Sequence, residues 1–152
     1  MPRKTKNIQF YEGVGRRKEA VARVRLYIAN KNIAAPGKAS FKIKAGEIYV
    51  NQKPIEQLFP SDAQKVRYLT PLKLTNNDGR FAISIVVKGG GRIGQLEAIM
   101  HGMSRALQLV DRDMYRPILK KQGLLMRDPR TRERRKVGTG GKARREKQSP
   151  KR

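Results

Sequence analysis

The chain has 152 residues, enough for one domain and an extension, and its 36 lysines and arginines outnumber 12 acidic residues to give a net charge of +24. This excess of one sign repels itself and collects anions, which favours nucleic acid as the partner. The lack of cysteine excludes a disulfide framework and a cysteine-ligated zinc site, and no apolar run is long enough to span a membrane.

The first periodic segment runs from Lys18 to Ile28, where every second residue is apolar. A period of two predicts a half-buried strand. Gly13 and Gly15 precede this strand and predict a turn or bulge at its edge. The residues that the turn would present are three cations, Arg16, Arg17 and Lys18.

The middle of the chain predicts short elements joined by turns. Residues 30–39 have the composition of a loop with a turn at Pro36 and Gly37. Residues 41–50 alternate apolar and polar side chains around a glycine, which predicts a small hairpin. A short strand at residues 72–74 and a hairpin turn at residues 76–79 are also expected.

Two short helices are predicted between these strands. Pro54 suits the first turn of a helix that runs to Phe59. Ser61 or Asp62 is expected to cap a second helix to about residue 69, because Pro71 should stop it.

The strongest signals follow in residues 81–110. Residues 81–87 are apolar on both faces, which predicts a central strand. Three glycines follow, and residues 96–110 then carry apolar side chains at helical spacing, which predicts a helix that covers the sheet. A second short helix is expected at residues 115–122, with Pro117 in its first turn and Gly123 at its end.

These elements predict an α+β domain over residues 1–126, with a mostly antiparallel sheet covered by helices on one face. Residues 127–152 differ from it, because 12 lysines and arginines stand there against three acids and Val137 is the only aliphatic side chain larger than alanine. So little apolar surface cannot offset the entropy of ordering the backbone. We therefore expect an extended basic C-terminal tail that is ordered only by a polyanion.

The segment from Gly89 to Gly94 matches G-x-G-x-x-G between a strand and a helix, the local context of a dinucleotide site. The dinucleotide fold also needs a second parallel strand with an acid near its end, whereas Asp111 directly follows the helix. An RNA phosphate bound near Arg92, or a purely structural turn, are the alternatives to a dinucleotide.

The sequence offers no apparatus for catalysis. His101 is the only histidine, and no second histidine or cysteine accompanies it, so a surface or satisfied histidine is expected in place of a metal ligand. The acids are scattered singly, and no serine has a G-x-S-x-G context. We expect no enzymatic activity, no cofactor and no metal.

The cations carry the functional signal. Three bases for each acid exceed what solubility requires, and counterion release from phosphates would convert the excess into affinity. The nine tyrosines and phenylalanines are not grouped as a stacking platform. We therefore expect recognition of folded RNA by its shape and phosphates.

Three blocks of the sequence resemble one known family. The first runs from Gly15 to Val24, and the second comprises Gly89–Gly91, Gly94, Gln95, Ala98, Ile99, His101, Gly102 and Arg105–Leu107. The third comprises Arg127–Arg130, Glu133–Lys136, Lys142–Arg145 and the terminal Lys151 and Arg152. Together they are similar to the bacterial-type small-subunit ribosomal protein nine over nearly the whole chain.

The resemblance implies a fold like the second domain of ribosomal protein five, including a left-handed β-α-β crossover. It implies a cytoplasmic location in ribosomes, in the head of the small subunit, with rRNA and neighbouring head proteins as partners. It also implies a tail that threads through rRNA until its tip touches P-site tRNA. Pro150 departs from the family's usual ending and would stiffen this tip.

The predicted tRNA-binding residues are therefore Lys151 and Arg152. The predicted rRNA-binding residues are Arg16, Arg17, Lys18, Arg92, Arg127, Arg130, Arg132, Arg134, Arg135, Lys136, Lys142, Arg144 and Arg145. The alternative is a free-standing architectural protein that binds RNA or DNA, or the protein cofactor of a ribozyme.

Overall fold

A computed structural model of the chain describes residues 3–5, 8–28, 33–35, 41–137 and 141. The strands are β1 (Arg3–Thr5), β2 (Ile8–Arg17), β3 (Ala20–Ile28), β4 (Ile33–Ala35), β5 (Phe41–Ile43), β6 (Ile48–Val50), β7 (Lys53–Pro54) and β8 (Phe81–Lys88). The helices are α1 (Ile55–Leu58), α2 (Asp62–Leu74), α3 (Arg92–Val110) and α4 (Arg112–Lys121). No helix in the described ranges is long and apolar enough to cross a membrane.

The main sheet has six strands in the order β1-β2-β3-β8-β6-β7, and β4 and β5 form a separate two-stranded sheet. The main sheet is mixed, because β6 and β8 pair in parallel while its other neighbours are antiparallel. Helices α1 and α2 lie in the connection between the two parallel strands, as a parallel pair requires. The predicted α+β class is confirmed.

The two clearest strand predictions are confirmed. In β3 the alternate residues Ala20, Ala22, Val24 and Leu26 are fully buried, as the period of two predicts. Strand β8 lies between β3 and β6, and its first five residues are all buried. Burial on both faces explains its unbroken apolar sequence.

The prediction that Gly13 and Gly15 form a turn or bulge is wrong, because both lie inside the continuous strand β2. Their role is to let the strand touch α3. A Cβ atom on Gly15 would lie 1.9 Å from the carbonyl oxygen of Ala98, and one on Gly13 would lie 2.3 Å from that of Gly102. The strand therefore packs backbone against backbone on the helix.

Helix α3 offers β2 a matching stripe of small residues, Gly94, Ala98, Gly102 and Ala106, all buried and spaced by one helical turn. Its larger apolar residues fill the main core between the sheet and the helices. These residues, as the sequence predicts, are Leu96, Ile99, Met103 and Leu107.

Two predictions for the middle of the chain are wrong. The predicted loop at residues 30–39 contains strand β4, while its Pro36–Gly37 turn lies outside the described residues. The predicted hairpin within residues 41–50 does not form, because β5 pairs with β4 and β6 pairs with β8 and β7. Local alternation gives the period of a strand but not its partner.

Pro71 does not stop the second helix, and the predicted strand at residues 72–74 is wrong. Helix α2 continues to Leu74 with Tyr68, Pro71 and Leu72 buried on one face. The packing of this face outweighs the lost backbone hydrogen bond. Residues 75–80 are thus a helix-to-strand connection and not a hairpin turn, and α4 likewise begins at Arg112, so that Pro117 lies past its first turn.

The opposite face of the main sheet carries a second, smaller core. Phe10 and Tyr27 are paired across β2 and β3, and their rings lie 5.8 Å apart. They pack with Ile43 of β5 and Ala82 of β8. The two-stranded sheet therefore covers one end of the face that the helices leave open.

Candidate nucleic-acid interface

The end of β2 and the turn to β3 carry the three predicted cations, but not all three are available to a ligand. Arg16 and Lys18 are exposed, and Lys18 occupies the left-handed region with a φ of 49°. The side chain of Arg17 is only 14% exposed. Arg17 has the strand parity of Gly13 and Gly15, which directs it toward α3.

Arg17 is held by two carboxylates. Its Nε atom lies 2.5 Å from Oε2 of Glu97 on α3, and its Nη1 atom lies 2.8 Å from Oδ1 of Asp128. Nη1 also donates to the backbone carbonyl oxygens of Asp128 and Arg130, at 3.3 and 3.4 Å. Arg17 thus joins the body to the segment that follows it.

Asp128 is the centre of this arrangement. Its carboxylate accepts hydrogen bonds from Nη2 of Arg130 at 2.7 Å and from the Arg130 backbone N–H at 3.0 Å. The hydrogen bonds from the Arg130 side chain and backbone hold the pKa of Asp128 well below its usual range, and Arg17 lowers it further. We call Arg17, Glu97, Asp128 and Arg130 the tail anchor.

We expect Arg17→Met to release residues 127–137 from the body, because the two carboxylates lose the cation between them. The measurement is hydrogen exchange of the free protein, in which exchange at the Arg130 amide should rise several-fold.

The tail anchor should also depend on pH, because the pKa of Asp128 is lowered in the folded protein. The stability that the Asp128 carboxylate adds is fully present above its ordinary pKa near 4. This stability is lost as the pH falls through the lower pKa of the folded protein.

The matched control for this experiment is Arg67→Met, which removes the same charge from an exposed position on α2. It should leave exchange at Arg130 unchanged. Equal exchange in the wild-type protein and in Arg17→Met would contradict the anchor.

The glycine turn before α3 is shaped by its contact with the β2–β3 turn. Gly89 and Gly90 have φ values of 73° and 62°, and a Cβ on Gly89 would lie 2.5 Å from the carbonyl oxygen of Glu19. Gly91 caps α3 without a side chain, and the exposed Arg92 follows. The turn therefore places Arg92 at the same end of the molecule as Lys18.

The dinucleotide interpretation of this turn lacks its fold. Helix α3 leads into α4, and β8 has antiparallel β3 and parallel β6 as its neighbours, so within the described ranges no parallel strand follows the helix. The fold therefore lacks the strand end at which an acid that binds the ribose would lie. The phosphate-binding and structural alternatives for this turn both stand.

His101 is a satisfied histidine, as predicted. It is half-buried on α3, and its Nδ1 atom accepts a hydrogen bond from the backbone N–H of Arg16 at 3.3 Å. Burial lowers the pKa of His101, and the nearby Arg105 adds to this, against hydrogen bonds with the backbone of Leu125 and Arg16. Across the described residues no three His, Asp or Glu side chains are grouped so as to hold a metal.

The segment from 127 to 137 leaves the anchor without a helix or strand, and every residue in it except Asp128 is exposed. Its side chains include six of the predicted rRNA-binding cations. These are Arg127, Arg130, Arg132, Arg134, Arg135 and Lys136. The predicted residues Lys142, Arg144, Arg145, Lys151 and Arg152 lie outside the described part of the chain.

The structure therefore divides the predicted residues into two groups. The exposed group comprises Arg16, Lys18, Arg92 and the cations of residues 127–137, which we call the tail root. Within it, Arg130 also pairs with Asp128. The other group, among the described residues, is Arg17 alone, which is engaged with Glu97 and Asp128. Sequence reasoning missed these two acids. The available signal was the parity of Arg17 with Gly13 and Gly15.

The sequence of the chain is similar to that of one family of known proteins. A family described as "Ribosomal protein S9/S16" matches residues 15–152. The chain is 44% identical to small ribosomal subunit protein uS9 of Solidesulfovibrio magneticus over 133 residues, which cover 88% of this chain and 90% of that protein. It is 43% identical to the uS9 protein of Maridesulfovibrio salexigens over 132 residues, which cover 87% and 89%.

Proposed function

Because the chain belongs to the ribosomal protein S9/S16 family, we propose that its exposed cations bind rRNA phosphates and that the tip of its tail contacts P-site tRNA. The chain is a structural constituent of the small ribosomal subunit, a ribosomal protein of a structural, non-enzymatic family that works in translation. The alternative of a free-standing architectural protein has no support among these relatives.

The observation that carries the proposal is the exposed tail root. Residues 129–137 are all exposed and form no helix or strand, yet five of them are arginine or lysine. Asp128 pairs with Arg130, and Glu133 is the one acid among these nine residues, so these two acids can balance only part of the charge. Phosphates would neutralise them and release the counterions of the RNA.

The proposed organisation is a globular RNA-binding body at residues 1–126 and an extended basic tail at residues 127–152. The body would lie in the head of the small subunit, beside rRNA and neighbouring proteins of the head, in bacterial cytoplasm. We infer that the connection from β6 through α1 and α2 to β8, which joins two parallel strands, is the left-handed crossover that the family resemblance implies.

Deletion of Lys151 and Arg152 tests the role of the tip. We expect subunits that contain the shortened protein to assemble normally but to lose P-site tRNA more rapidly, because up to two phosphate contacts disappear. Each lost contact should reduce the salt dependence of tRNA retention by about 0.7–0.9 in log–log slope. The measurement is tRNA dissociation from purified small subunits at several salt concentrations.

The control deletes no residues and replaces Lys120 and Lys121, which are exposed at the end of α4, by glutamine. This variant has the same loss of charge and should retain tRNA as the wild-type protein does. If the tip deletion blocks assembly instead, the tip binds rRNA and its assignment to tRNA is wrong.

A further inference from the structure

Among the described residues, the face of the main sheet opposite the helices is covered only at one end. The second core, around Phe10 and Tyr27, closes the end beside β5. At the other end the strands β2, β3 and β8 present side chains without a covering layer among the described residues. We call this end the open face, and its residues are Val14, Arg16, Val21, Arg23, Val86 and Lys88.

The register of the strands sets the pattern of the open face. Arg16, Val21 and Lys88 lie side by side across the three strands, and the next row is formed by Val14, Arg23 and Val86. Neighbouring strands are about 4.8 Å apart, so Arg16 and Lys88 flank Val21 at about 10 Å from each other. Cations and valines therefore alternate along both directions of the sheet.

The three cations of the open face have no acidic partner in the described part of the chain. Arg16, Arg23 and Lys88 are exposed, and their side chains form no ion pair there. Glu12, the acid on the same face of β2, accepts a hydrogen bond from Nε of Arg25 at 2.8 Å. The open face is thus a surface of uncompensated positive charge.

The apolar residues between these cations are short. Val21 is 39% exposed, and Val14 and Val86 are half-buried, so the surface between the cations stays low. It carries no aromatic ring on which an unpaired base would stack. A cationic surface without aromatic rings suits a sugar–phosphate backbone, and its single sign of charge favours this ligand over a protein.

We propose that the open face binds the sugar–phosphate backbone of folded rRNA, with Arg23 and Lys88 as phosphate ligands beside Arg16. The proposal rests on the rRNA-binding function argued above and adds to it a second contact surface, separate from the tail. Long cationic side chains on a rigid sheet reach phosphates with little loss of backbone entropy. The body would then bind RNA through the open face, on the side of the main sheet opposite the helices.

The test compares Arg23→Gln/Lys88→Gln with a matched control, Arg67→Gln/Lys73→Gln. Both double variants lose two charges from exposed positions, and the control pair lies on α2, on the helix side of the sheet. The measurement is binding of the full-length protein to small-subunit rRNA over a range of salt. The open-face variant should bind about tenfold more weakly and show a log–log salt slope lower by about 1.8, while the control slope stays near that of the wild-type protein.

A photo-crosslinking amino acid at position 21 gives an independent readout in assembled subunits. Crosslinks to rRNA support the proposal, and crosslinks to another protein overturn it. If the wild-type protein binds rRNA but the two double variants have equal salt slopes, the proposal is also overturned. A wild-type protein that neither binds rRNA nor sediments with small subunits would instead contradict the proposed function itself.

Discussion

Replacing Gly15 by alanine is expected to lower the free energy of unfolding by about 3 kcal/mol, the upper end of the usual cost of overpacking. The added Cβ would lie 1.9 Å from the carbonyl oxygen of Ala98 and 2.3 Å from the backbone nitrogen of Gly102. Both atoms belong to the backbone of α3, so no side chain can rotate away. The helix must move off β2, and the main core opens with it. Urea unfolding of the isolated protein measures the loss.

Gly91→Ser is the matched control for this substitution. A Cβ at Gly91 meets nothing within 4 Å, and the backbone there has a φ of −96°, which any residue adopts. Serine is also a good N-cap, so stability should stay the same or rise slightly. Equal stability of Gly15→Ala and the wild-type protein would show that β2 and α3 are not in backbone contact.

Ending the chain at Met126 should leave the body folded but remove most of its affinity for rRNA. Both core clusters are formed by residues no later than Leu125, so thermal unfolding should change little. The truncation removes 12 lysines and arginines. If about half of them contact phosphates, the log–log salt slope of rRNA binding falls by about 5 and the affinity by several orders of magnitude. Salt-dependent binding measures both quantities.

The control for the truncation keeps the composition of residues 138–152 and permutes their order. Its charge is unchanged, so its salt slope should remain close to that of the wild-type protein. A truncated protein with the full salt slope would show that the body alone supplies the phosphate contacts.

The periodicity of apolar residues predicts the strands and helices that bury one face or all of their side chains. Strand β3 alternates because one face meets α3, and β8 is apolar throughout because it is central. Pairing between distant segments was not predictable in this way. The parallel contact of β6 with β8 joins residues more than 30 positions apart, and no local pattern records that choice. The helix end predicted at Pro71 is wrong for a related reason, since the burial of Pro71 against the core outweighs its local preference.

The candidate site shows the same division. The excess of cations at residues 127–137 was evident from composition, and these side chains are exposed. The ion pairs of Arg17 were not evident from composition, because a run of three cations looks uniform in a sequence. Only the approach of α3 to β2 brings Glu97 to Arg17, and the glycines that permit this approach have the sequence pattern of a turn.

The tail anchor also limits how far the C-terminus can lie from the body. It ties Arg130 to the end of β2 through Asp128, so everything beyond starts from a fixed point on the body. A chain spans at most about 3.4 Å per residue, which gives residues 131–152 a reach of roughly 75 Å. Any molecule touched by the C-terminus must therefore lie inside a sphere of that radius centred on Arg130, and moving the anchor along the chain would enlarge or shrink that sphere residue by residue.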